Sequence, residues 1–95
     1  MRTPKLTDAA VQAALALRAG WSLENGRISR TFTFPDFVAA MRFVNAVADA
    51  AEAADHHPDI DIRYNKVTLA LTTHDSGGLT EKDFALAAQA DTIAA

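Results

Sequence analysis

The sequence predicts an α+β fold: a four-stranded antiparallel sheet with three helices packed on one face, in the order α-β-β-α-β-β-α. Three observations predict it. Asn25-Gly26 separates two short segments of alternating character, the strongest local signal for a tight hairpin. The stretch from Asp36 to about Ala54 repeats its apolar residues at helical spacing. A second alternating pair follows, with Ile60 and Ile62 set among Asp59, Asp61 and Arg63, and with Val67, Leu69 and Leu71 beyond a turn at Asn65-Lys66.

The elements follow in order. Thr7 is placed to cap a first helix running to about Arg18, with Val11, Ala14, Leu15 and Arg18 on one side and Gly20 at its stop. Trp21–Glu24 and Ile28–Phe34 form the hairpin arms, and Ile28, Phe32 and Phe34 share one face of the second. Pro35 falls at the first turn of the long helix, where a missing N–H costs nothing. Along that helix Phe37, Met41, Val44, Ala48 and Ala51 make the expected buried stripe, with Val47 beside them. Phe43 lies off the stripe and points to a second buried face, such as a subunit contact. Asp75-Ser-Gly-Gly78 reads as a loop, and Thr80-Glu-Lys-Asp83 as a capping box opening the last helix.

Ninety-five residues, 49% of them hydrophobic, predict a single domain over residues 1–95 with one modest core. Much of that fraction is alanine, so a core thin in aromatics gains from oligomerisation. A net charge of -3 with scattered Lys and Arg argues against nucleic-acid binding. The absence of cysteine excludes disulfides, thiolate catalysis and cysteine-based metal sites. No segment approaches the roughly 20 apolar residues of a membrane span, and no secretory signal opens the chain, so a cytoplasmic protein without membrane contact is expected.

All three histidines fall within 19 positions, in Glu52-Ala-Ala-Asp55-His56-His57-Pro58 and at His74. Histidine is the side chain suited to moving protons near neutral pH. His56 and His57 close the long helix, where exposed carbonyls favour a protonated imidazole, and Glu52 four residues before His56 favours it too. Pro58 turns the chain outward, and His74 can return to the helix end if the last two strands pair. No His-x-His or His-x-x-x-His spacing is present, so no metal site is expected. Residue physics leaves acid–base chemistry and helix capping as equal readings of the histidines. Asp83 reads first as the cap partner of Thr80, Tyr64 as a half-buried strand residue, and Trp21 as core.

At these residues the chain resembles the pterin-4a-carbinolamine dehydratases. The family pattern of an acidic residue, His-His-Pro, an aromatic, a histidine and an aspartate is matched by Glu52, His56-His57-Pro58, Tyr64, His74 and Asp83. Gly20-Trp21, Phe32-x-Phe34-x-x-Phe37, Tyr64-Asn65-Lys66-Val67, Thr73-His74 and Gly78-Leu79-Thr80 extend the similarity over nearly the whole chain. The resemblance implies dehydration of a 4a-hydroxytetrahydropterin to a quinonoid dihydropterin and water, the recycling step after an aromatic amino acid hydroxylase. It implies His56 and His74 as proton carriers, His57 as substrate holder and catalytic partner, and Glu52 as the group that tunes the imidazoles. Pro58, Trp21, Thr73 and Asp83 join His57 as expected substrate-binding residues. The pterin is substrate, so no cofactor is implied. Homodimers through continued sheets and tetramers through helix packing are implied as well. The alternative is a non-catalytic binding, regulatory or assembly module on the same fold, a role that some family members fill.

Overall fold

The computed structural model describes residues 3–95. Three helices and four strands follow one another as α1 (Asp8–Ala16), β1 (Ser22–Glu24), β2 (Arg27–Thr33), α2 (Phe37–Ala54), β3 (Asp59–Arg63), β4 (Lys66–Leu71) and α3 (Glu81–Ala94). A short 3₁₀ turn, His74–Ser76, lies between β4 and α3. The fold is therefore the expected α+β arrangement. The strands stand in the order β1-β2-β4-β3, every neighbouring pair antiparallel. No helix among the described residues is long and apolar enough to cross a membrane.

Alternation along the strands sorts the sheet into two faces. Register sets Ile28 beside Leu71, Arg30 beside Leu69 and Phe32 beside Val67, with Ile60 and Ile62 completing those rows. Thr31, Thr68, Asp61, Ser29 and Lys66 occupy the opposite face. Ile28, Val67, Leu69 and Leu71 are fully buried and join one cluster with Val11 of α1, Phe43 and Val47 of α2, and Leu86, Ala87 and Ala90 of α3. Removing such a side chain from water stabilises by roughly 1.5–3 kcal/mol, which is why one face of the sheet is covered.

Local chemistry shapes the connections. Asn25 and Gly26 both take positive φ, as a two-residue hairpin turn of the right hand requires. Asp36, and not Pro35, caps α2: its carboxylate accepts the Ala39 N–H at 2.8 Å, and Pro35 stays outside the helix. The first helix ends at Ala16, two residues early, and leaves Leu17 exposed. The β3–β4 turn is Tyr64-Asn65, one residue earlier than expected, and Tyr64 is an exposed turn residue at positive φ.

The buried stripe of α2 differs from the expected one. It runs Ala40, Phe43, Val44, Val47 and Ala51, while Phe37 and Ala48 face outward. Phe43 belongs to the core of this chain: its ring lies 4.7 Å from Phe32 and 5.0 Å from Phe34, centroid to centroid. An alanine-rich helix offers little contrast between faces, so the fit of one aromatic ring to the sheet decides its rotation.

Candidate active site

The C-terminus of α2, the end of β4 and the N-terminus of α3 meet at the histidines. Asp55 adopts the left-handed conformation and stops α2. The His56 N–H then reaches back to the Ala51 carbonyl at 3.0 Å, and the Asp55 N–H to Glu52 at 3.2 Å. This is the six-to-one and five-to-two pairing of a Schellman stop. It turns His56 inward and leaves His57 outside.

His56 is 9% exposed and its Nε2 lies 2.6 Å from Asp83 Oδ1. The other oxygen of Asp83 accepts the Thr80 N–H at 2.9 Å and the Thr73 hydroxyl at 2.9 Å. Thr73 and Thr80 hydroxyls are 2.8 Å apart. Because Thr73 spends its only proton on Asp83, Thr80 donates to Thr73, and Thr80 in turn accepts the Lys82 N–H at 3.2 Å. A carboxylate only accepts, so His56 keeps a hydrogen on Nε2. Asp83 is thus a helix cap and the anchor of His56 at once. A reading as cap alone is too narrow.

His57 is exposed, and its Nε2 lies 2.5 Å from Glu52 Oε2. Glu52 therefore pairs with His57, not with His56 as helical spacing suggests, because the left-handed Asp55 breaks that spacing. His74 opens the 3₁₀ turn. That loop closes through the Thr73–Gly78 bridge and through Gly77 in the left-handed conformation that glycine accepts. His74 is exposed and makes no side-chain hydrogen bond among the described residues.

His56, His57 and His74 together line a cleft of about 250 Å³ with Thr73 and Thr72. Asp55, Asp75 and Lys82 complete its rim. These three and Thr72 escaped the sequence reading. Their signal was only adjacency to residues already singled out. Glu52 reaches the site through His57, and Pro58 is half-buried behind it. Trp21 is elsewhere: buried, it donates its indole N–H to Asp91 at 3.0 Å, and Arg18 and Arg30 hold the same carboxylate. Asp91 lies eight positions beyond Asp83 along α3. Among the described residues no cluster of three His, Asp or Glu side chains is placed to hold a metal ion.

Three imidazoles thus line one open cleft of an α+β fold, and one of them is fixed by a buried carboxylate. The family described as pterin 4 alpha carbinolamine dehydratase matches residues 4–93, and the chain belongs to that family. A protein of Chloroflexus aurantiacus (strain J-10-fl), named "Putative pterin-4-alpha-carbinolamine dehydratase", is 64% identical over 90 residues, covering 95% of this chain and 97% of its own. A similarly named protein of Herpetosiphon aurantiacus is 57% identical over 90 residues, covering 95% and 94%. The crystal structure of a transcriptional coactivator/pterin dehydratase from Brucella melitensis superposes with a TM-score of 0.93 at 36% identity, over 96% of this chain and 99% of that one. A pterin dehydratase-like RuBisCO assembly factor of the alpha-carboxysome shares the fold, with a TM-score of 0.65 at 24% identity over 78% of this chain and 86% of that one.

Proposed function

We propose that this protein dehydrates a 4a-hydroxytetrahydropterin to a quinonoid dihydropterin and water by histidine acid–base catalysis. The observation that carries the reading is the cleft itself: three imidazoles around one space, in a chain of this family. The reaction needs two proton transfers and no added redox partner. The lone pair of the pterin nitrogen next to C4a forms a C=N bond as the C4a–O bond breaks. The departing oxygen takes a proton and leaves as water, and a base removes the proton from the ring nitrogen.

His56 takes the base's part in this scheme. Its Nε2–H is committed to Asp83, so Nδ1 carries the available lone pair in the neutral ring, and the buried carboxylate stabilises the imidazolium that forms. His74, free of internal partners, takes the acid's part at the 4a-hydroxyl. His57, oriented by Glu52, holds the pterin ring and can share in proton transfer. Thr73 and Pro58 shape the wall of the site, and Asp83 acts through His56. Trp21 keeps only a supporting part here, since its indole is spent on Asp91. The reading brings with it a cytoplasmic setting, homo-oligomers and an aromatic amino acid hydroxylase upstream.

The test is a dehydratase assay on freshly generated 4a-hydroxypterin, comparing the protein with its His56→Ala variant. We expect turnover well above background and a loss of roughly 100-fold or more in the variant, the scale of a single acid–base group. Turnover at the uncatalysed rate in the unaltered protein would defeat the enzymatic reading and favour a binding module.

A further inference from the structure

The histidine cleft does not stand alone. A second, larger groove of about 640 Å³ adjoins it, and Thr72 and His74 line both. Small-molecule sites occupy roughly 300–1,000 Å³. The histidine cleft by itself lies below that range, while the groove lies well inside it. A ligand seated at the histidines therefore has a continuous path into a space far larger than a short alkyl substituent fills.

The groove has a definite chemistry. Leu6, Leu23 and Leu79 give it apolar walls, and the Leu6 N–H bonds the Leu79 carbonyl at 2.8 Å, fastening the N-terminal arm to the loop that carries His74. Four charges stand around it. Arg27 is engaged by Asp59 at 3.2 Å and faces Glu24 across the β1–β2 pair. Asp8 sits in the first turn of α1, where the helix N–H groups answer its charge. Of the groove's lysine and arginine, Lys5 is the one with no carboxylate within ion-pair distance among the described residues; Glu24 likewise has no ion pair there. The Lys5 stem lies along Gly78, where an added Cβ would approach Lys5 Cε to 2.7 Å. Glycine at that position lets the lysine lie flat on the loop.

We infer that the groove receives the C6 substituent of the substrate, and that the preferred substrate is a reduced pterin whose substituent carries an aryl spacer ending in a carboxylate. The spacer rests on the leucines and the carboxylate meets Lys5. This rests on the pterin reading of the histidine cleft and adds the substrate class to it.

Equilibrium binding of 7,8-dihydrofolate and of 7,8-dihydrobiopterin, followed by intrinsic fluorescence or calorimetry, tests it. The full chain should bind the first at least tenfold more tightly, an advantage that shrinks as salt is raised. Lys5→Met should collapse the ratio of the two affinities toward one, and Lys5→Arg should retain it. Equal binding of the two pterins, or a ratio unmoved by Lys5→Met, overturns the inference while leaving the dehydratase reading intact. Failure of both pterins to bind overturns the two together.

Discussion

The molecule holds two histidine–carboxylate pairs on consecutive histidines, and their surroundings make them different objects. His56 and Asp83 are buried, and the carboxylate is held by two further donors, the Thr73 hydroxyl just after β4 and the Thr80 N–H at the start of α3. His57 and Glu52 are exposed, with side chains 58% and 76% accessible, and they have only each other. Water competes for every contact of the second pair and for almost none of the first. The buried pair therefore determines where its ring sits, and the exposed pair holds its ring only weakly.

The comparison breaks most visibly at Asp83. Asp83→Ala leaves His56, the Thr73 hydroxyl and the Thr80 N–H without their acceptor, and we expect a loss of roughly 3–5 kcal/mol in urea unfolding along with activity. A loss under about 1 kcal/mol would mean that the network rearranges freely. At His74, which is exposed and unpartnered, His74→Ala should cost about 100-fold in turnover while the unfolding midpoint stays put. Retention of full turnover there would remove His74 from the proton path. Thr73→Val is isosteric and deletes one hydroxyl donor to Asp83, so a loss of about 1 kcal/mol in stability is expected, against none if water replaces it. Glu52→Gln is the smallest change: stability within about 0.5 kcal/mol, with KM moved more than kcat. A large drop in stability there would place the exposed pair on the same footing as the buried one.

Much of the fold was legible because it is written locally. Asn25-Gly26 can turn the chain only one way, Thr7 and Thr80 carry caps in the residues beside them, and alternation names the inner face of β2 and β4. The strand order was consistent with the same logic, since two hairpins joined by a helix leave few arrangements. The rotation of α2 was less legible. Alanine at many positions blurs the stripe, and only the stacking of Phe43 on Phe32 and Phe34 shows which side turns inward. Trp21 reads as core from its residue type and as a substrate-binding residue from the resemblance; it is buried and bonded to Asp91, 70 residues away.

The candidate site divides the same way. Composition and spacing mark out the histidines, the proline and both carboxylates, because those residue types carry the chemistry themselves. They pair Glu52 with the wrong histidine, however, and give Asp83 its cap partner Thr80 but not His56. Helical spacing joins Glu52 to His56, and a capping box accounts for Asp83 without any histidine. The left-handed turn at Asp55 reverses this, sending His56 in to Asp83 and His57 out to Glu52. What the chain by itself determined, then, was the set of groups able to move protons and the elements that bear them. Which imidazole is buried, which carboxylate holds it and where the adjoining groove opens were decided only by tertiary structure. Those properties depend on the desolvation and reach of groups far apart in sequence, which no local pattern records.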